Sequence, residues 1–121
     1  MVLRSCNRPH RLLAHQSILL NHTNFFMPAY IIVEVSIHDS KGYEEYKKLT
    51  PASIAAFGGK FLVRGGETET LEGDWTPERI VVVEFPNVES AKKWWNSPEY
   101  ATAKNIRLIT AKTKMILAEG C

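Results

Sequence analysis

Four short segments of the chain have the composition of β-strands. Ala29–Ile37 (AYIIVEVSI) is rich in β-branched residues, and Arg79–Phe85 (RIVVVEF) has the strongest strand pattern. Lys60–Arg64 and Lys112–Ala118 predict two further strands. After Gly65-Gly66, the segment Glu67–Leu71 can resume the second strand.

Side chains alternate between the two faces of a strand, so the first strand predicts two unlike faces. One face is wholly apolar and comprises Ile31, Val33, Val35 and Ile37. The other face is mixed and comprises Tyr30, Ile32, Glu34 and Ser36. We expect the apolar face to pack under helices.

Helical spacing and helix-terminal residues separate the first strand from the second, and the third from the fourth. Asp39 or Ser40 can cap a helix that ends at Gly58-Gly59. Its apolar residues recur near helical spacing at Tyr43, Tyr46, Leu49, Ile54 and Phe57. Pro51 lacks a backbone donor, which predicts a kink or restart at Thr50-Pro51. A second helix carries Trp94 and Trp95, and Ser97-Pro98 starts another.

The element order β-α-β-β-α-β predicts an α+β, ferredoxin-like fold. Right-handed crossovers then give a four-stranded antiparallel sheet of order 4-1-3-2, with the helices on one face. The opposite face would expose Tyr30, Ile32, Ile80 and Val82. A second copy of the sheet is an economical cover, so we expect a homodimer with its sheets face to face.

Charge divides the 121 residues into two unlike parts. The net charge is +2, but residues 1–26 hold Arg4, Arg8 and Arg11 and no acid. Residues 27–121 carry 12 basic and 13 acidic residues, a charge of −1, which argues against a nucleic-acid partner. The first 26 residues predict a disordered basic tail or an organelle-targeting peptide. Alternatively, Met27 is the natural start. The longest apolar run is the five residues 29–33, so no membrane partner is expected. We expect a cytoplasmic location.

Candidate chemistry lies in charged residues within the strands. Alternation places Glu34 and Glu84 on the mixed face of neighbouring strands, and Arg64 on the next strand. These three side chains can converge on a small ligand, with Arg64 offering a bidentate fork to a carboxylate or phosphate. An equally good interpretation is an ion-pair network that only neutralises buried charge. We expect core and cleft-wall aromatics at Tyr43, Tyr46, Trp94 and Trp95, and the alternative is a stacking site.

The sequence lacks the residues that several common kinds of catalytic and binding site require. His38 is the only histidine after residue 26, so neither a histidine metal site nor a Ser-His-Asp triad is expected. Gly65-Gly66 predicts a β-bulge or a close approach, because it lacks the spacing of a phosphate loop. No dinucleotide fingerprint is present. We therefore expect no metal and no cofactor.

Four segments together resemble domain-of-unknown-function family 1330 (DUF1330), a group of small, mostly bacterial proteins. They are MPAYIIVEV from Met27, GGKFLVRGG from Gly58, LEGDWTPERIVVVEFP from Leu71 and WWNSPEYATAKNIR from Trp94. The resemblance covers nearly all of 27–121. It implies a ferredoxin-like subunit that pairs into a dimeric α/β barrel. It also implies ligand-binding candidates at Arg64, Glu72, Arg79, Glu84, Ser97, Tyr100 and Arg107, and no established reaction.

Our main hypothesis from sequence is a homodimer that binds, and could transform, a small anionic or oxygenated metabolite. The ligand would lie in a cleft lined by Arg64 and Glu84, with Tyr100 as a hydrogen-bond donor. The alternative is a non-catalytic structural or interaction module whose polar cluster only specifies the dimer. Whether the protein is an enzyme stays open.

Overall fold

The computed structural model describes residues 27–121. The predictions for residues 1–26 lie outside the described residues. Within 27–121 the elements are β1 (Ala29–Ile37), α1 (Ser40–Ala56), β2 (Lys60–Arg64), β3 (Arg79–Phe85), α2 (Val88–Trp95), α3 (Pro98–Thr110) and β4 (Ala111–Glu119).

The sheet is antiparallel, open and four-stranded, with the order β2-β3-β1-β4. This is the predicted ferredoxin-like order. The predicted apolar face of β1 is the inner face, because Ile31, Val33 and Val35 are buried among helix residues. The outer face carries Tyr30, Ile32 and Glu34 and has no helix over it. No helix between residues 27 and 121 combines the length and apolar character needed to span a bilayer.

Aromatic side chains fill the space between the inner face and the helices. Trp94 and Tyr100 pack with ring centroids 4.0 Å apart, and Phe85 lies 5.4 Å from Trp94. The Trp94 indole N–H donates to Ser53 Oγ at 3.0 Å, which satisfies its only polar atom inside the core. Trp95, by contrast, is exposed and lies under the Lys104 ammonium. Only the first residue of this tryptophan pair therefore belongs to the core.

Helix α1 runs through Pro51 without a break, so of the two outcomes expected at Thr50-Pro51, a kink or a restart, the restart does not occur. Asp39 caps the helix by accepting a bond from the Gly42 N–H at 3.0 Å, and Gly58, at φ +78°, follows its end as predicted. Buried Tyr43 and Ile54 hold both halves of the helix on the sheet. Leu49, which was expected on the same face, is exposed.

Strand β2 contains a bulge that the sequence pattern did not place correctly. Lys60 pairs with Glu84 and Phe61 with Val83, but the next pair is Val63 with Val82, so Leu62 is the extra residue. One extra residue exchanges the faces of everything after it. The predicted bulge at Gly65-Gly66 is therefore displaced by three residues, and Arg64 lies on the inner face.

The chain leaves the sheet at Gly65, and the predicted continuation of β2 through Glu67–Leu71 does not form. Gly65 has φ +77°, a conformation that glycine adopts without strain, and its N–H makes the last bond to Ile80 O at 2.9 Å. Residues 65–78 therefore form a long loop between β2 and β3.

Candidate functional site

A small cavity lies between α1 and the inner face of the sheet. Its volume is about 30 Å³. Apolar walls from the sheet include Val81, Val83 and Phe61, and Tyr43 and Tyr46 line it from α1. Four basic residues and no acidic residue line this cavity within the described chain: Lys47, Arg64, Arg79 and Arg107. Lys47 is paired with Glu44 at 3.3 Å, so the three arginines make the cavity a cationic environment inside a near-neutral domain.

Arg107 is the most deeply buried of these basic residues, at 4% exposure. It projects from α3, where its Nε–H donates to the Tyr100 hydroxyl at 3.1 Å and its Nη1 donates to Thr113 Oγ1. Both partners are neutral, and no ion pair within residues 27–121 includes Arg107. A guanidinium stays charged in proteins, and a buried charge without a counterion is costly. An anion bound next to Arg107 would therefore offset the cost of its buried charge.

Arg79 enters the cavity from the first residue of β3. Its guanidinium lies 5.7 Å from the centre of the Tyr43 ring, and its buried Nε–H has no partner among the described residues. The guanidinium packs directly on Gly65, where a Cβ atom would collide with it. An unpartnered buried donor is an unusual feature, and it lies in the lining of the same cavity as Arg107.

Arg64 lies at the exposed end of the cavity, held by the backbone of α1. Pro51 has no N–H, so the Lys47 carbonyl four residues earlier lacks its helical donor. The Arg64 Nη2 supplies the bond instead, at 2.8 Å. The guanidinium also stacks on Phe61, 4.4 Å from the ring centre. The proline that was expected to interrupt the helix therefore provides the acceptor that positions Arg64.

Two tyrosines extend the hydrogen bonding of Arg107 toward the cavity. The hydroxyls of Tyr100 and Tyr46 are 2.8 Å apart. Because the Arg107 N–H already donates to Tyr100, Tyr100 can donate onward to Tyr46, which leaves the Tyr46 proton for a further acceptor. Burial raises the pKa of Tyr46, Tyr100 raises it further, and Arg107 partly offsets the rise. Tyr46 is thus a neutral hydrogen-bond donor at physiological pH.

Burial likewise raises the pKa of Tyr43, together with the neighbouring Tyr46. The Arg79 charge and its hydrogen bonding to Tyr43 act in the opposite direction. Tyr43 therefore also stays protonated beside the arginines.

Of the seven residues proposed from sequence, four lie in or directly behind this cavity: Arg64, Arg79, Tyr100 and Arg107. Ser97 is the N-cap of α3, accepting from the Tyr100 N–H at 3.2 Å and donating to Trp94 O at 2.7 Å. Glu72 is exposed on the β2–β3 loop. These two residues do not join the cationic cavity.

Glu84 lies on the outer face, so the expected cleft lined by both Arg64 and Glu84 does not form. Its carboxylate accepts from the Tyr30 hydroxyl at 3.3 Å and lies 3.5 Å from the Lys60 ammonium. Glu34 is also on the outer face, opposite Ile80 and Lys114. The bulge at Leu62 explains the difference, because an unbroken β2 would have paired Arg64 with Ile80 on the outer face, the face of Lys60 and Glu84.

The sequence predicts Tyr43 and Tyr46 as core and cleft-wall aromatics, with a stacking site as the alternative, and it does not identify Lys47, Thr50 and Thr113. The helical spacing of 43, 46, 47 and 50 was an available signal, because these positions share one face of α1. Thr113 had no such signal, since only the register of β4 brings it to Arg107. Residues 27–121 contain no group of three or more His, Cys, Asp or Glu side chains placed to hold a metal ion.

The fold and the cavity define a small α+β domain of ferredoxin-like topology with a cationic inner site. The chain belongs to the family of domain of unknown function DUF1330, whose model matches residues 28–121. No curated protein matches the chain.

Solved structures from several bacteria share the fold. A protein of unknown function from Rhodopseudomonas palustris is similar with a TM-score of 0.66 at 16% identity, over 90% of this chain and 94% of that one. SnoaB, a cofactor-independent oxygenase from Streptomyces nogalater, is similar with a TM-score of 0.53 at 13% identity, over 75% of this chain and 90% of that one. A conserved protein of unknown function from Bacteroides thetaiotaomicron has a TM-score of 0.52 at 19% identity, over 78% and 98% of the two chains. At these identities the likeness shows the fold alone.

Proposed function

We propose that this protein binds a small metabolite through a carboxylate group that enters the inner cavity. The observation that carries the proposal is the set of three arginines, Arg64, Arg79 and Arg107, around one cavity whose lining contains no acidic residue. A carboxylate beside Arg107 would neutralise its buried charge. It would also give the unpartnered Nε–H of Arg79 an acceptor.

The size and walls of the cavity restrict the ligand further. At about 30 Å³ the cavity suits a head group of a few atoms, whereas complete ligand pockets are about 300–1,000 Å³. The planar fork of a guanidinium matches a carboxylate, and the Tyr46 hydroxyl adds a neutral donor. Phe61 and the Arg64 guanidinium stacked on it lie toward the exposed side. The rest of the metabolite therefore extends outward past Arg64.

A second proposal is that the outer face of the sheet binds another protein surface. Tyr30, Ile32, Ile80 and Val82 lie there with no element above them, and exposed Ile116 adds to this surface. The Tyr30–Glu84–Lys60 group is a polar feature that can fix the alignment of a second sheet. We propose that two copies associate through this face as a homodimer. Since the two faces are separate, ligand binding and dimer formation do not exclude each other.

The ligand proposal is tested by thermal unfolding and calorimetric titration with acetate, benzoate and succinate, and with acetamide and benzamide as uncharged controls. We expect a carboxylate to raise the Tm of the wild type and an amide to leave it unchanged. Arg107→Met should lose at least tenfold in carboxylate affinity. Lys48→Met removes the same charge from an exposed pair with Glu45 and should bind like the wild type.

Two outcomes would refute the ligand proposal: no carboxylate changes the Tm, or Arg107→Met binds as well as the wild type. Should Arg107→Met fail to fold, Arg79→Met provides the same test from a partly exposed position. The dimer proposal is measured separately, by sedimentation velocity across a range of protein concentrations. The dimer proposal is contradicted if the protein sediments as a single monomeric species up to about 100 µM, because a dimer with a micromolar Kd would be largely assembled at that concentration.

A further inference from the structure

The loop between β2 and β3, residues 65–78, combines acidic charge with exposed apolar side chains. It contains five acidic residues and no basic residue: Glu67, Glu69, Glu72, Asp74 and Glu78. Leu71 is 90% exposed and Trp75 is 55% exposed. Large apolar side chains that are this exposed and lie together mark interaction surfaces. The cationic cavity does not use this loop beyond the packing of Arg79 on Gly65.

The loop has a defined shape and continues the outer face of the sheet. Thr70 Oγ1 donates to the Trp75 carbonyl, and Ser36 Oγ donates to Glu78 Oε1 at 2.7 Å. Leu71, Trp75 and Ile80 line a groove of about 350 Å³. Ile80 pairs with Glu34 and belongs to the outer face, so the groove adjoins the surface that we propose as the dimer interface.

The opposite edge of the outer face has the opposite charge. Lys112 pairs with Ser36 and Lys114 with Glu34 in the register of β4, followed on the same face by exposed Ile116. No ion pair within residues 27–121 includes either lysine. Both lysines lie at the same end of the sheet as the acidic loop, because Ser36 is bonded to Glu78 of that loop. This end of the outer face is thus acidic at one edge and basic at the other.

A two-fold axis parallel to the strands would bring these edges together. Rotation about such an axis, placed between two stacked sheets, puts the β2 edge of one copy against the β4 edge of the other and keeps the same strand ends together. The acidic loop of each copy would then meet the basic edge of its partner. An isologous interface makes each such contact twice.

We infer that, in the proposed homodimer, the β2–β3 loop of each subunit docks on the β4 edge of the other. Leu71 and Trp75 would cover Ile116, and Glu69 and Glu72 would lie against Lys112 and Lys114. This inference rests on the proposed dimer, and it identifies the second copy of the chain as the partner of the loop. Complementary charges at the rim of an interface fix its register and speed association.

Charge reversal tests the docking in the full chain. We expect the pair Glu69→Lys/Glu72→Lys and the pair Lys112→Glu/Lys114→Glu each to weaken self-association at least tenfold in sedimentation velocity. A mixture of the two variants should restore wild-type association as a heterodimer, because both loop–edge contacts are then complementary. The matched control Glu44→Lys/Glu45→Lys makes the same charge change on exposed α1 and should self-associate like the wild type.

The outcomes separate this inference from the proposal on which it rests. A wild type that stays monomeric refutes the dimer itself. A dimeric wild type whose two reversed variants associate normally, or fail to associate when mixed, refutes the docking and leaves the dimer standing. Trp75→Ala gives an independent measurement without charge change, and unchanged dimer affinity in that variant would also contradict the docking.

Discussion

The inner and outer faces of the sheet use charged residues in different ways. On the outer face, Glu84 has a cation and a hydroxyl beside it, and the group is close to neutral. On the inner face, Arg107 and Arg79 have neutral or missing partners, and the surrounding cavity contains no acid among the described residues. Glu84, which already has its partners, suits a surface that aligns a second copy, whereas the buried charge of Arg107, which has no counterion, favours a ligand.

Backbone irregularities, more than side-chain identity, separate the two faces. The bulge at Leu62 places Arg64 on the inner face, and Pro51 leaves the Lys47 carbonyl free to accept a hydrogen bond from Arg64. Gly65, which has a left-handed backbone conformation and no Cβ, leaves room for the Arg79 guanidinium. The inner site therefore depends on local geometry that a single substitution can alter. The outer pairs rest on regular strand register and should tolerate substitution better.

The largest effect is expected from Gly65→Ala. A Cβ at φ +77° is strained, and it would also displace the Arg79 guanidinium. We expect a loss of about 2 kcal/mol in the free energy of unfolding, measured by urea denaturation, and a fall in carboxylate affinity. Gly66→Ala is the matched control, because its Cβ would meet nothing within 4 Å. Equal effects of the two substitutions would show that Gly65 does not position Arg79.

Much of the fold was predictable from the sequence because it depends on regular periodicity. The apolar alternation of Ile31, Val33 and Val35 identified the inner face, and Ser97-Pro98 identified the start of α3. The ferredoxin-like strand order followed from element order and crossover handedness.

The site was less predictable, because it depends on breaks in that periodicity. Period-2 alternation assigned Arg64 to the same face as Glu84, and no residue type in KFLVR marks Leu62 as the extra residue. Arg107 was recognised as a candidate, but its lack of a counterion is a property of the packed core and not of the helix pattern. Thr113 reached Arg107 only through strand register.

The second prediction compares a tyrosine from each face at alkaline pH. The folded pKa of Tyr46 is raised above its unfolded value of 10.0, so its contribution to stability is complete below pH 10 and is lost as the pH rises toward the folded pKa. Over pH 10–11, the unfolding free energy of the wild type should fall by about 1 kcal/mol more than that of Tyr46→Phe, because the unfolded tyrosine is half ionised at pH 10 and almost fully ionised at pH 11.

Tyr30→Phe is the outer-face control for this measurement. Burial and the neighbouring Glu84 also raise the pKa of Tyr30, but the residue is partly exposed on the open face. We expect its substitution to change the alkaline slope much less than Tyr46→Phe at the same protein concentration. Identical slopes for the two variants would contradict the assignment of Tyr46 to a desolvated inner cluster.

The smallest effect concerns the bond between Arg64 and the Lys47 carbonyl. Pro51→Ala supplies the missing helical N–H, so the carbonyl no longer needs Arg64. In a double-mutant cycle, Arg64→Ala should therefore cost about 0.5–1 kcal/mol less in the Pro51→Ala background than in the wild type. The loss of stacking on Phe61 is common to both backgrounds and cancels.

The same cycle with Glu84→Gln measures the separation of the two faces directly. Were Arg64 and Glu84 to form the network expected from sequence, their coupling would equal that of a surface ion pair, about 0.2–1 kcal/mol. Because the bulge places them on opposite faces, we expect their effects to add within about 0.3 kcal/mol. A measurable coupling energy between Arg64 and Glu84, together with none between Arg64 and Pro51, would show that Arg64 lies on the outer face. The cavity would then lack its outermost arginine.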